Sequence, residues 1–177
     1  MSLRDAIKEN HDKAEKHRFV ALLLSGYIPQ DVYCGYLANQ LHCYTALETR
    51  AQSLGLFDNI EAIKRSEHIL RDMNELGGGG TIHTSTAQYC QYVETLDAER
   101  LWAHIYARHF ADMYGGQLIK KCVPGAGTMY EFEGRSDLIA KVRAKLTDDM
   151  ADEANRVFEY VLALYDEMAN EHDLQTA

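Results

Sequence analysis

Apolar residues recur at three- and four-residue spacing along nearly the whole chain, and no window alternates between apolar and polar for long, so helices are predicted throughout and strands nowhere. Ser2 to His17 places Leu3, Ile7, His11 and Ala14 on one side, extended by Ala6 and Asn10, the pattern of one amphipathic helix. After Tyr27-Ile28-Pro29, the run Val32, Tyr36, Leu37, Gln40, Cys43, Tyr44 and Leu47 holds its spacing for turn after turn. Only a long helix sustains that. A further helix is predicted from Ile60 to Leu76, ended by Gly77-Gly78-Gly79-Gly80, whose backbone freedom predicts a flexible connection. Thr84 to Leu96 reads as a shorter helix with Ser85 or Thr86 as candidate N-caps, and Asp97 as the cap of a long helix reaching about Cys122. Beyond Gly125-Ala126-Gly127 and the short Met129 to Phe132 segment, Leu138 to Leu146 and Asp149 to about Glu171 complete the set. The only two prolines, Pro29 and Pro124, stand where the apolar period stops.

A chain of 177 residues fits one domain, with no repeat and no linker to divide it, so residues 1–177 are read as a single all-α domain. Its 46% hydrophobic and 25% charged residues are those of an ordinary globular protein. The opening residues carry no apolar run and the last seven no hydrophobic tail, which predicts neither a span nor an anchor. Cys34, Cys43, Cys90 and Cys122 are far apart with no CxxC pair, which points to a reduced, cytoplasmic setting. A net charge of −9 argues against sequence-independent nucleic-acid binding, which needs a surplus of cations. The cations are nevertheless clustered: Arg4, Lys8, Lys13, Lys16, Lys120 and Lys121 occupy two short segments.

The most unusual stretch runs from Ala103 to Gln117, because Gly115 and Gly116 interrupt a strong helical pattern at a cost of about 1 kcal/mol each. Two explanations fit: close approach of the backbone to a large flat ligand, or a close crossing with another element. Arg108 and Asp112, four residues apart, share the face leading to the glycines, so a buried polar network is a candidate there.

This arrangement, an arginine, an aspartate four residues on, then Gly-Gly-Gln, resembles the distal-helix signature of heme oxygenases. Leu3-Arg4-Asp5-Ala6-Ile7-Lys8-Glu9-Asn10-His11-Asp12-Lys13-Ala14-Glu15 is similar to the family's proximal helix. Leu41 to Glu48 and Glu153 to Phe158, continuing to Tyr165, supply a third and a fourth match in the family's order. The resemblance implies a bundle of about seven or eight helices with heme sandwiched between the first helix and the Asp97–Cys122 helix. It implies that His11 is the axial ligand of the heme iron, oriented by a hydrogen bond such as Glu15 offers. Lys8, with Arg4, Arg143 and either Lys141 or Lys145, would meet the propionates beside Tyr106, while Phe158 and Tyr165 would wall the pocket and Gly115 and Gly116 would let the distal helix approach the ring. Asp112 would supply protons through ordered water, held by Arg108 and Tyr44.

Such a protein is expected to use O2 and heme, both cofactor and substrate, releasing biliverdin, carbon monoxide and ferrous iron after attack at the α-meso carbon. Two departures from the family pattern bear on that regiochemistry: Ala111 where glycine is common, and Tyr114 where a small residue is common. With no flavin, nicotinamide or iron–sulfur motif, electrons must come from a partner. A ferredoxin is expected to dock on Arg4, Lys8, Lys13, Lys120 and Lys121, and a bilin reductase could take the product. Three rival functions fit the residues less well. A di-iron enzyme normally carries Glu-x-x-His, and none of the eight histidines has a glutamate three residues before it. A thiaminase-like hydrolase would need an activated cysteine, for which no cysteine here has the neighbourhood. A non-catalytic heme carrier or sensor would have no use for Arg108, Asp112 and the double glycine.

Overall fold

In a computed structural model describing residues 1–172, the chain forms nine α-helices and, among those residues, no strand: α1 Leu3–Glu15, α2 Arg18–Leu24, α3 Gln30–Ser53, α4 Ser66–Leu76, α5 Thr84–Val93, α6 Ala98–Tyr114, α7 Gly116–Lys120, α8 Arg135–Arg143 and α9 Ala151–Glu171. Two of them, α2 and α7, are under eight residues, which accounts for the excess over the seven or eight expected. The apolar stripes meet in one interior. Leu3, Ile7 and Ala14 of α1 belong to one apolar cluster with Trp102, Ala103 and Phe110 of α6, joined through Ala154, Val157 and Phe158 of α9, and a second cluster joins Phe19, Tyr33, Tyr36, Leu37 and Tyr44 to Met129, Tyr130 and Met168.

Helix ends are set by identifiable groups. Ser2 caps α1 by accepting from the Asp5 amide, and Asp97 caps α6 by accepting from the Arg100 amide, as its sequence position predicts. Gly77 closes α4 in the left-handed conformation, φ 69°. Neither Ser85 nor Thr86 caps α5; both lie inside it, its N-cap is His83, and a carboxylate from another helix does the work, Glu167 of α9 accepting from the Ser85 amide at 3.2 Å. Glu48 of α3 does the same for α4, accepting from the Arg65 and Ser66 amides at 2.6 and 3.0 Å.

The expected Ile60–Leu76 helix is split. A single 3-10 turn, Glu61–Ile63, is followed by extended Lys64 and only then by α4. The cause is Arg65, fully buried, whose guanidinium donates to the carbonyls of Ile63, Ala62, Met129 and Glu131 and lies 3.7 Å from the centre of the Phe132 ring. An uninterrupted helix would keep the Ala62 and Ile63 carbonyls for itself. The tetraglycine is likewise no free linker. A Cβ on Gly78 would lie 2.6 Å from Cys34 Sγ, and one on Gly80 would collide with the Gly35 backbone, so two of the four glycines exist to let this segment lie flat on α3. Buried Asn39 pins the residues just beyond the glycines, bonding the Thr81 carbonyl, the His83 amide and the Thr86 hydroxyl.

The feature that positions the site is α9. Both α1 and α6 pack along it and hardly touch one another. Asn155 of α9 clips α1 in place, accepting from Asn10 Nδ2 and donating to the Ala6 carbonyl, each at 3.1 Å, while the Leu3 amide donates to Asp148 at 2.9 Å.

Candidate active site

Helices α1 and α6 both pack on α9 with few contacts between them, which leaves a candidate gap with α9 as its floor. Phe158 and Tyr165, two turns apart on one side of α9, belong to or pack on the apolar cluster that α1, α6 and α9 share, with Val161 and Leu162 between them. At one end His11 stands edge-on to Phe158, ring centres 6.1 Å apart. Its side chain is 47% exposed, with Nδ1 3.6 Å from Asp12 Oδ1 and Nε2 3.6 Å from Glu15 Oε1. Both distances exceed a hydrogen bond, so Glu15 stands beside the ring without fixing it, and the imidazole nitrogens are free to coordinate. His11, Asp12 and Glu15 form the one set of three or more such donors, among the described residues, whose ligand atoms lie within 4.8 Å of one another.

On the other wall, α6 carries Asp112. The Tyr44 hydroxyl from α3 bonds its Oδ2 and also lies 3.0 Å from the Arg108 carbonyl. Burial pushes the Asp112 carboxyl up to about 6, opposed by the Tyr44 hydrogen bond and by the charges of His109, Arg65 and Arg108. A carboxyl tuned that close to neutrality exchanges a proton readily with water at physiological pH. Tyr165 packs toward α2: its ring stacks on Phe19, 5.7 Å away at 7°, and lies 5.3 Å from His17, while burial and the Asp112 charge raise its phenol. The helix then breaks. α6 stops at Tyr114, Gly115 stays in the right-handed region at φ −70°, and α7 resumes at Gly116, so the continuous helix expected to Cys122 is interrupted without a reversal.

A family model described as heme oxygenase matches residues 1–167. The chain belongs to the heme oxygenase family. It is 28% identical to heme oxygenase 1 of Nostoc sp., covering 94% of this chain and 84% of that protein. It is also 28% identical to heme oxygenase 2 of Oryctolagus cuniculus over 94% of this chain, but it spans only 64% of that relative's length. The structure of heme oxygenase-1 from Synechocystis sp. in complex with heme superposes with a TM-score of 0.82 at 22% identity, covering 96% of this chain and 91% of that one. That of heme oxygenase from Leptospira interrogans gives 0.80 at 22%, covering 94% and 100%. At these identities the two structures establish the shared fold.

The heme oxygenase signature on α6 has a divided role here. Gly115 is exposed, and nothing but the Ala111 carbonyl, 3.2 Å away, would meet a Cβ there. Gly116 is buried, and its missing side chain makes room for the Tyr130 ring. Gln117 reinforces that contact by donating to the Tyr130 carbonyl at 2.8 Å. Of the two explanations for the glycine pair, open approach suits Gly115 and close packing suits Gly116. Arg108 also departs from expectation. It makes no bond to Asp112; its guanidinium lies 4.0 Å over the Tyr89 ring, with Nε buried and unpartnered. Tyr44 alone grips the carboxylate. Tyr89 in turn bonds His104 Nδ1 at 2.7 Å, and His104 Nε2 meets Glu153 Oε1 at 2.8 Å. Since the carboxylate can only accept, Nε2 carries the proton and Nδ1 accepts from Tyr89. Burial alone would raise Glu153, but the bonds from His104 and Tyr92 bring it below the usual carboxylate range.

The cations divide as well. Arg143 of α8 reaches Tyr114, Nη2 to hydroxyl 3.1 Å, and Tyr106 feels both Arg143 and Arg4: burial raises its phenol while the two positive charges oppose the rise. The positive charges of Arg4 and Arg143 thus both act on Tyr106. Lys8 is paired with Asp12 at 2.5 Å, and Lys141 is spent on Asp137 and the Asn59 carbonyl. Sequence reasoning missed Tyr89, Tyr130 and the His104–Glu153 pair, and it singled out Tyr114 without its partner Arg143. The adjacency of Gly116 and Gln117 was the one available sign that something packs there.

Proposed function

We propose that this heme oxygenase family member opens heme at the α-meso carbon, consuming O2 and externally supplied electrons and releasing biliverdin, carbon monoxide and ferrous iron. The observation that carries this reading is the pairing of a half-exposed histidine with free ring nitrogens on one wall and a half-buried, near-neutral carboxyl close to an exposed glycine on the other, over an apolar floor. Heme fits such a gap. His11 would hold the iron, Phe158 and Tyr165 would take the flat apolar face, and the propionates would face Arg4, Tyr106 and Arg143 at the open edge. Bound there, heme supplies the iron and the ring that is consumed. The protein's part is to orient and to move protons. Asp112 shuttles them with water, Tyr44 fixes its Oδ2, and exposed Ala111 and Gly115 leave space for the substrate where a larger side chain would intrude. A carrier or sensor would need only the His11 wall; the raised carboxyl favours the enzyme.

Electrons come, on this reading, from a ferredoxin. Its dock is less basic than the sequence suggests, because Lys8, Lys13 and Lys120 are paired with Asp12, Glu9 and Glu131 at 2.5 to 3.0 Å. Of the five docking cations, steering by charge is therefore left to Arg4 and Lys121. No helix among the described residues is long and apolar enough to cross a membrane, which suits the cytoplasmic setting we propose and hand-over of biliverdin to a bilin reductase. The test is turnover of the hemin complex with ferredoxin, its reductase and NADPH in air. Loss of the Soret band with growth of α-biliverdin absorbance, verified by chromatography, is expected; an inert complex, or mainly β or δ isomers, would contradict the reading or its regiochemistry respectively.

A further inference from the structure

Tyr114 stands where the family commonly has a small residue, and the structure gives it specific company. Its hydroxyl receives Arg143 Nη2 at 3.1 Å, and the Arg135 guanidinium lies 4.8 Å over its ring. Its ring in turn packs edge-on to Phe110, 6.0 Å between centres, and Arg143 extends 5.8 Å over that same Phe110. In a chain with 27 acidic residues against 18 basic ones, neither arginine has a carboxylate within 4 Å among the described residues, whereas Lys8, Lys13, Lys120 and Lys141 all do. Arg135 Nε is moreover buried with no hydrogen-bond partner. Because Tyr114 accepts from Arg143, its own O–H remains available to donate. Phenol, Arg135 and Arg143 are thus three donors gathered at the end of α6, beside exposed Gly115, with two positive charges and no anion to receive them.

We propose that Tyr114, Arg135 and Arg143 form a seat for one carboxylate of the bound porphyrin, and that Tyr114 is a specificity-determining residue that fixes how the ring is rotated about its iron. The inference rests on the proposed heme oxygenase reading and adds to it Tyr114 and Arg135, which the family resemblance does not supply. Two arginines and a phenol match the lone pairs of a single carboxylate, and paired, charge-assisted bonds fix orientation as well as affinity. A smaller residue at 114 would leave Arg143 free to swing. With Tyr114 holding it, the carboxylate has one place to go, and the edge of the ring presented toward Asp112 is set accordingly.

The experiment compares zinc protoporphyrin with its dimethyl ester, titrated by fluorescence into wild-type protein, Tyr114→Phe and Arg135→Gln, with melting temperatures recorded for each. The seat predicts that each substitution weakens the free acid by about tenfold, the loss of one charge-assisted bond, and leaves the ester unchanged. Tyr114→Phe should also broaden the biliverdin isomer distribution. Equal weakening of acid and ester, or no weakening of either, would overturn the seat while leaving the heme oxygenase reading intact. Failure of the wild-type chain to bind either porphyrin would remove both. Should Arg135→Gln melt early, Tyr114→Phe, which keeps the ring and its packing, decides the matter alone.

Discussion

Replacing Asp112 by asparagine should make the ligand-free protein more stable, and increasingly so as pH rises. Burial lifts the Asp112 carboxyl from 3.8 to about 6, so the folded chain binds that proton more tightly than the unfolded chain does. A group raised in this way favours the folded state fully below the unfolded value and progressively less as pH climbs through the folded one. At 1.36 kcal/mol per factor of ten, the ionised carboxylate costs the folded state roughly 3 kcal/mol at neutral pH; Asp112 retains some solvent contact, which brings the expectation to about 2 kcal/mol. Asparagine keeps an oxygen for Tyr44 and never ionises. Urea unfolding from about pH 4.5 to about pH 7.5 should therefore show the stability difference between variant and wild type growing by about 1 kcal/mol, the remainder being already present at the acid end of that range, while the variant loses most biliverdin formation. Parallel curves across that range would refute the raised carboxyl and the proton-shuttling role built on it.

The two adjacent glycines should behave oppositely. Gly116→Ala drives a methyl into the Tyr130 ring and should lower stability by about 1–3 kcal/mol, whereas Gly115→Ala should stay within about 1 kcal/mol of wild type yet impair heme turnover, as thermal melts and biliverdin assays would show. Asn155→Ala removes both clips that hold α1 on α9, at about 1–3 kcal/mol in denaturant titration, and should weaken hemin binding because His11 rides on α1. Turnover with ferredoxin should fall only modestly with added salt, since three of the five candidate docking lysines and arginines are already paired; a steep decline would show those pairs opening for the partner.

How far the sequence was legible depended on range. Helices α1, α3, α6 and α9 carry long unbroken apolar stripes, and Ser2, Asp97 and Gly77 bound α1, α6 and α4 by rules that need only neighbours in the chain. The errors lie where a distant residue decides. Arg65 takes the carbonyls that would have continued α4 backward, Glu167 and Glu48 cap helices far from them in sequence, and Gly78 and Gly80 are selected by contact with α3 rather than by flexibility. At the site, His11, Tyr44, Arg108, Asp112 and the glycines could be named from their motifs. Arg108's turn toward Tyr89 could not, because a four-residue spacing places two side chains on one face without saying which neighbour wins a buried guanidinium.

Heme binding and turnover alike depend on coordination by His11, and resonance Raman spectroscopy of the ferrous hemin complex measures it directly. Wild-type protein should show an iron–histidine stretch; His11→Ala should lose it and recover a nitrogen-ligated spectrum when imidazole is added. Identical spectra for wild type and His11→Ala, without added imidazole, would contradict it.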